Sequence, residues 1–527
     1  MTAPCSPGWR YVCEGRNGRK ADNVNITMEW RYRGEGNCSL VVADPLSKRV
    51  YRLLKQNYTR KFQEGVVDSE SKAQAVHEDL AQVVSYVRWV MQPLLSPDYV
   101  TVPKLTKVEQ DFIREVVRQV SKQRPVRRMK KPGDRVDEEV QWALILPDFC
   151  FVHLPHGRLS GAHSTISIEI KPKKSFITTY PKRGTTGEQP GVCKFCMHQH
   201  LKRQSGQWPE TSNYCPLDLF SGNKQRMKHA LQSLIKTPQN NLKIWKDGED
   251  VYSAEKRLDL ADILQRWFND PTLKKSRAIS CFLDLVIEIL MMSVSPDDPQ
   301  PHSDLTRSPT LQRCQSSSFT FTTGNVCQWL PEGSVLERVY AAQLLDDLEV
   351  MNVFPLYQRL QEQLAANPQL KREWGFDGHF PQDWLLDSEA FRNLDPSSIE
   401  WVVQKVKRFL VSKTLQDCSI MVAILPLDSL DLQKQNGPGE NHYGNNRLQF
   451  DQQWYKVSVA LVDLDPKPLD KIPVYHKQAS AILASFHDTC METATVPAAE
   501  PLHVPVRQLP VLSALPCLAM HPRVPEV

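Results

Sequence analysis

Apolar residues recur along this chain with two periods, and their alternation predicts an α+β fold. Between Glu29 and Leu54, short strand-like runs (Glu29–Arg33, Leu40–Ala43 and Val50–Leu54) flank a Gly34-Glu35-Gly36 turn, the pattern of an antiparallel β unit. A helical period takes over in Ser71–Met91, carried by Ala75, Val76, Leu80, Val83, Val84 and Val87. Lys107–Val120 predicts a second helix, with Phe112, Ile113, Val116, Val117 and Val120 on one face. Strands follow at Trp142–Leu146 and Ser164–Ile170. In the latter, Ile166, Ile168 and Ile170 share a face before the chain enters Lys171-Pro172-Lys173-Lys174. Helices are expected at Lys224–Ile235 and Ala278–Met292, over Val335–Ala366 and over Ser398–Ser412, and strands at Ser419–Leu425 and Tyr455–Leu464.

Polar stretches punctuate these elements. Residues 295–323, rich in Ser, Pro, Thr and Asp, predict a mobile insertion. Asp431–Arg447 reads as a loop, and from Thr493 onward the prolines argue against any packed element. The most apolar windows, Val83–Leu95 and Cys281–Val294, are broken by Arg88, Pro93, Asp284 and Glu288, so no membrane span is expected. Met1–Gly15 lacks a continuous apolar stretch, so no signal peptide is apparent. Thirteen cysteines without such a signal predict reduced thiols, in cytoplasm or nucleus.

Composition changes the picture mainly by exclusion. With 527 residues, 41% hydrophobic and 24% charged, the chain can bury a core and is not a disordered polymer. Its net charge of +5 is too small for long-range attraction to nucleic acid or membrane. A strongly anionic partner must therefore meet a local basic pocket. The run Lys122–Lys131 also fits a nuclear localisation signal or a solvated loop. Basic residues here are not interleaved with aromatics, so no specific nucleic acid partner is predicted.

Several groups could carry chemistry. Gly34-Glu35-Gly36-Asn37-Cys38-Ser39 is either an ordinary hairpin or a loop whose amides approach phosphate. Arg52 and Lys55 on the next strand are either a charged edge or holders of nucleotide phosphates. Glu169 and Lys171 share one face of a strand, as a surface pair or as a carboxylate coupled to a lysine that stabilises a transferring phosphoryl group. Asp417 precedes one closing strand, and Asp463 and Asp465 end the other. If those strands pair antiparallel, the carboxylates meet at one edge, where Mg²⁺ could join them or where they simply cap turns. Cys193-x-x-Cys196, His200 and Cys215 have the ligand types and spacing of structural zinc, with buried free thiols as the alternative.

These pieces occur in a recognisable order. Gly34-Glu35-Gly36-Asn37, Lys122-Gln123-Arg124-Pro125, Glu169-Ile170-Lys171-Pro172-Lys173, Met197-His198-Gln199-His200-Leu201-Lys202, Pro216-Leu217-Asp218-Leu219-Phe220-Ser221-Gly222, Gln239-Asn240-Asn241-Leu242-Lys243, Asp417-Cys418-Ser419-Ile420-Met421 and Asp463-Leu464-Asp465-Pro466-Lys467-Pro468 together resemble the inositol-pentakisphosphate 2-kinases from about Met28 to Tyr475. Lys174-Ser175 stands where a Cys-Gly pair is expected, and one extra residue before Asp417 leaves Lys413 unplaced.

The resemblance implies an α+β, two-lobed inositol phosphate kinase fold, distantly similar to protein kinases, with antiparallel sheets and an enlarged mixed C-lobe. Its expected divisions are an N-terminal extension (1–27), an ATP-binding N-lobe (28–147), a C-lobe (148–477) and a divergent, disordered tail (478–527). It implies a monomer in nucleus and cytoplasm that transfers phosphate from ATP, with Mg²⁺, to the 2-hydroxyl of inositol 1,3,4,5,6-pentakisphosphate. Gly34, Glu35, Gly36, Asn37, Ser39, Arg52, Asp148 at the adenine hinge, Glu169 and Asp463 would serve the nucleotide. Lys171 and Asp417 would act at the reacting hydroxyl, and Asp417 with Asp463 would hold Mg²⁺. Arg124, Lys173, His198, Lys202, Asn240, Lys243, Lys467, Lys471 and Tyr475 would hold the substrate. Charge agrees with that substrate, because five phosphate monoesters sum to roughly −7.5 to −10. The competing class is a non-catalytic, zinc-stabilised basic protein binding RNA or phosphoinositide, which leaves the strand-end aspartates without a role. A protein kinase is disfavoured, since no His-Arg-Asp or Asp-Phe-Gly signature occurs.

Overall fold

The structure, a computed structural model, describes residues 29–62, 69–152, 163–177, 192–206, 210–293, 330–428 and 447–494. It is a mixed α+β protein, and among the described residues there are two sheets in which every strand pairing is antiparallel. Residues 1–27, the predicted insertion 295–323 and the end of the chain from 495 lie outside the described residues, as does most of the loop expected at Asp431–Arg447.

The chain divides into two compact units. The smaller is built from the chain through His77 and from Lys104–Asp148, the larger from Glu78–Pro103 and the chain from Phe149 onward. This differs from the division expected at residue 147. The helix Ser69–Tyr86 and the π-helical turn Val87–Met91 deliver Tyr86, Val87, Val90 and Met91 to the core of the larger unit.

The smaller unit is a five-stranded sheet: β1 (Arg31–Glu35), β2 (Ser39–Asp44), β3 (Arg49–Leu54), β4 (Lys104–Lys107) and β5 (Trp142–Pro147), in the order β1-β2-β3-β5-β4. Its apolar face (Leu40, Val42, Leu53 and Ala143) packs on Ile113, Val116 and Val120 of the helix Gln110–Val120. Trp30 meets both Tyr51 and Phe112 edge-on, with ring centroids 5.2 Å apart. The helix expected from Lys107 begins only at Gln110, because Lys107 pairs with Trp142 as the end of β4.

The larger unit holds a six-stranded sheet: β6 (Ile166–Ile170), β7 (Leu242–Lys246), β8 (Glu249–Tyr252), β9 (Ser419–Leu427), β10 (Arg447–Phe450) and β11 (Gln453–Val462), in the order β10-β11-β9-β6-β7-β8. All nine residues of β9 are buried, which explains a continuous apolar run without alternation. Ile168, Ile420, Val422 and Ile424 share a core with Phe282, Leu285 and Val286 of the helix Lys275–Leu290, while Met421 and Ala460 pack with Cys150 and Trp245. The predicted helical stretch Val335–Ala366 is two helices, Val335–Gln343 and Glu349–Ala366. Between them Asp346 accepts hydrogen bonds from the Leu348 and Glu349 amides, at 3.2 and 2.9 Å, competing with helix continuation.

The expected tail beginning at residue 478 is also corrected. The last helix runs Ile472–Ala494 and buries Ala479, Ile482 and Phe486.

Candidate active site

Four neighbouring strands of the larger sheet, β11, β9, β6 and β7, begin or end at the same edge. Register places Ile170 opposite both Ile420 and Leu242, and Ser419 opposite Val462. Lys171, Asp417, Asn241 and Asp463 therefore leave the sheet together, one or two residues beyond these pairs. The Lys171 amide donates to the Asn241 carbonyl at 2.9 Å, which fixes where the Lys171 side chain starts.

Three carboxylates at this edge, those of Glu169, Asp417 and Asp463, face lysine. Lys171 Nζ lies 2.9 Å from Asp463 Oδ2 and 3.9 Å from Glu169 Oε1. Ser419 Oγ donates to Glu169 Oε1 at 2.6 Å and lies 3.4 Å from Asp463 Oδ2. Asp417 sits between Lys173 (3.3 Å to Oδ1) and Lys467 (3.2 Å to Oδ2). Asp465 contributes its carbonyl to Thr414 Oγ1 at 3.1 Å. Lys173 and Asp463 both have left-handed backbone (φ +62° and +63°), a costly state for non-glycine residues that recurs at functional sites.

Electrostatics distinguish their roles. Burial works to raise the Asp417 pKa, but Lys173, Lys467 and Lys171 outweigh it and bring it down to about 2. A carboxylate so acidic is always ionised and is a poor proton acceptor, so it suits orienting a hydroxyl or holding a cation better than acting as a strong base. Burial disfavours charge on Lys171 too, yet Asp463, Glu169 and Asp417 hold its pKa above the ordinary lysine value. It is a fixed positive charge.

His198 and Lys202 lie one turn apart on the helix Lys194–Gln204. Burial, with Lys202 and Lys194 adding to it, lowers the His198 pKa to about 4, and burial with Lys173 lowers that of Lys202 to about 8. Lys243 stands opposite Glu169 in the β6–β7 register, and Asn240 is exposed one residue ahead of the Asn241 carbonyl. Lys471 is exposed in the turn Leu469–Lys471, and Tyr475 follows on the last helix. The sequence reading missed Lys194 and left Lys413 unplaced; Lys194 is electrostatically coupled to Lys413 and Lys174, and Lys413 to Lys467 and Lys173. For Lys413 a signal existed, its place one helical turn before Asp417; Lys194 carried none beyond its position beside Cys193.

In the smaller unit the glycine turn is closed by the Gly36 amide donating to Ser39 O at 3.0 Å, and Arg52 Nε donates to Ser39 Oγ at 2.9 Å. Gly36 and Asn37 are exposed at its tip. Asp148 is buried and takes two hydrogen bonds from Arg33 on Oδ2, at 2.9 and 2.7 Å. Glu35 departs from its expected place toward the nucleotide. A β-bulge between Tyr32 and Gly34 re-aims it, and its fully buried carboxylate is paired with Lys55 and with Arg124 (3.1 and 2.6 Å). Arg124, expected on substrate, donates to Glu35 and to the carbonyls of Arg128 and Asp134, the last two at 3.2 and 2.9 Å.

Among the described residues one group of thiols has metal-ligand geometry. Cys193 Sγ lies 3.1 Å from Cys196 Sγ and 3.8 Å from Cys215 Sγ, all buried. Tetrahedral zinc with bonds near 2.3 Å needs sulfurs about 3.7 Å apart, so these thiols fit three of its four positions. His200 does not join them. Cys193 caps the helix N-terminus, and His200 lies one helical turn beyond Cys196 on the same helix. Its ring packs instead against Phe486, with centroids 5.7 Å apart.

The chain is similar to known proteins over most of its length. A family model described as inositol-pentakisphosphate 2-kinase matches residues 32–481. The Danio rerio protein named inositol-pentakisphosphate 2-kinase is 31% identical over 470 residues, covering 86% of this chain and 92% of that protein. The Arabidopsis thaliana protein of the same name is 27% identical over 489 residues, 87% of this chain and 93% of its own length. The match spans the glycine turn, Lys171, Asp417 and Asp463 alike, and the chain belongs to the inositol-pentakisphosphate 2-kinase family of kinases.

Proposed function

We propose that this kinase transfers the γ-phosphoryl group of ATP to the 2-hydroxyl of inositol 1,3,4,5,6-pentakisphosphate, producing inositol hexakisphosphate. The observation that carries this reading is Asp417, ionised between Lys173 and Lys467 at the sheet edge where Lys171 also stands. The relatives' shared name supports the substrate.

In this reading Asp417 accepts a hydrogen bond from the attacking hydroxyl and orients its oxygen. Lys171, permanently charged, offsets the negative charge spread over the transferring phosphoryl oxygens. Lys173, Lys467, Lys202 and His198 bind the other phosphates, with Asn240, Lys243, Lys471 and Tyr475 at its margins. Gly34, Gly36, Asn37, Ser39 and Arg52 hold the nucleotide phosphates, Asp148 with its backbone serves the adenine, and Glu169 serves the nucleotide with Asp463. Two carboxylates beside substrate phosphates suffice for Mg²⁺, so Asp417 and Asp463 are its holders, and the ion supplies charge neutralisation between the phosphates when bound. Zinc on Cys193, Cys196 and Cys215 would tie the start of the His198 helix to the chain at Cys215. The two lobes of a kinase-like fold correspond to the two units, acting as a monomer in nucleus and cytoplasm.

The non-catalytic alternative is set aside by family membership in a group of kinases. Incubation with ATP, Mg²⁺ and inositol pentakisphosphate, followed by charge-resolved chromatography, tests the substrate. One more highly charged product is expected, and an unchanged substrate peak refutes the reading.

A further inference from the structure

Lys413 has no part in the motifs above, yet it stands among the residues of the candidate site. It lies in the last turn of the helix Ile399–Leu415. Its ammonium donates to Gln416 Oε1 at 2.9 Å and sits over the Tyr475 ring, 4.9 Å from the centroid. Gln416 is itself pinned, its Nε2 donating to Ser412 Oγ at 3.1 Å, so the amide oxygen is aimed at Lys413 by the helix. The ammonium is therefore held in one place by a neutral amide and an aromatic face.

Three other half-buried or buried lysines of this unit are built differently, whereas Lys407, remote from the motifs above, shares the neutral acceptor and aromatic face, donating to the Trp384 carbonyl at 2.9 Å over the Trp384 ring. Lys405 reaches both oxygens of Asp347 at 2.7 Å, Lys228 reaches Asp284 at 2.7 Å, and Lys174 pairs with Glu349. In these three the cation is paired with an acid of its own. Lys413 has no ion pair of this kind among the described contacts. Asp417 attracts it but is already bonded to Lys173 and Lys467, and both of those lysines repel Lys413. Asp346 attracts it as well, but accepts hydrogen bonds from the Leu348 and Glu349 amides. Holding a cation against two others with only a neutral hydrogen-bond partner costs free energy, and an arriving polyanion reverses that cost.

We propose that Lys413 is a phosphate-binding side chain of the inositol polyphosphate site, positioned by Gln416 and Tyr475 to bind a phosphate monoester beside Asp417. The assignment rests on the polyphosphate reading of the site. It names a cation that sets affinity for substrate without acting on the transferred group. Two of its three N–H donors remain for phosphate oxygens.

The test compares wild type with Lys413→Met and Lys413→Arg in initial-rate assays. Inositol pentakisphosphate is varied at saturating ATP, then ATP at saturating inositol pentakisphosphate. Lys413→Met should raise the KM for the inositol phosphate about 10-fold or more, the scale of one lost charge-assisted contact. Its kcat should stay within about 3-fold and its KM for ATP should not change, as expected when only uniform binding is lost. Lys413→Arg should restore most of the affinity. The rise of KM with ionic strength should also be shallower in Lys413→Met, because one ion pair fewer is screened. Lost packing alone would not change that slope. An unchanged KM, or KM values for both substrates rising together with a lower melting temperature, overturns the role of Lys413. Failure of the wild type to phosphorylate inositol pentakisphosphate overturns the underlying substrate reading instead.

Discussion

The edge of the larger sheet and the glycine turn of the smaller unit use the same residue types to opposite ends. Around Glu35 one carboxylate is enclosed by Lys55 and Arg124, with no part of the Glu35 side chain exposed. Around Asp417 two lysines approach a carboxylate that remains 59% exposed, and Lys413 stands nearby with no ion pair among the described residues. The first arrangement is closed and neutralised, and its product is a fixed turn. The second is open and in positive surplus, as the proposed polyanionic substrate requires. Charge type does not separate scaffold from site here; burial and the balance of partners do.

The comparison is broken most severely at Asp417. Replacing it with Asn should lower kcat by about 10³-fold or more, the scale of a lost positioned charge at a reacting centre. The melting temperature should hold, because an exposed ion pair contributes little to stability. Steady-state rates with a parallel thermal melt check both halves. Glu35→Gln should do the reverse. It leaves Lys55 and Arg124 buried without their counter-ion, a loss of about 3–5 kcal/mol, read in denaturant unfolding.

A smaller effect follows from pH. Burial, with Lys173, brings the Lys202 pKa down to about 8, so Lys202 is charged at neutral pH and loses its proton as pH rises through that value. Affinity for the polyanion is therefore full below this range and declines above it. The KM for the inositol phosphate should climb several-fold between about pH 7 and pH 9, an estimate set by losing one charge-assisted contact. A profile flat across that range counts against Lys202 as a ligand. The smallest expected change concerns zinc. Metal analysis of the purified protein should give about one zinc per chain, reduced by Cys215→Ser, and protein without zinc removes the assignment.

Much of the larger unit's site was legible because strand periodicity is rigid. An alternation of two placed Glu169 and Lys171 on one face, and strand-end aspartates on an antiparallel pair had to meet at one edge. Register bears this out, with Ser419 opposite Val462. Legibility failed where one extra residue disturbs the period. The bulge at Tyr32/Gly34 turns Glu35 inward, and no pattern in Arg31–Glu35 announces it. A local signal was passed over at Asp247-Gly248, whose positive φ values (+50° and +74°) make the tight turn between β7 and β8. His200 misled because its ring is turned against Phe486 and not toward the three thiols. The last helix extended past Lys477 because Ala479, Ile482 and Phe486 keep a helical apolar face that the prolines further on obscured.

The most direct measurement is the position of the new phosphate. Phosphorus and proton NMR of the product formed from ATP and inositol 1,3,4,5,6-pentakisphosphate should show phosphorylation of the 2-hydroxyl, giving inositol hexakisphosphate. A diphosphate on one of the existing phosphates, or ATP consumed with the inositol ring unmodified, would contradict the account.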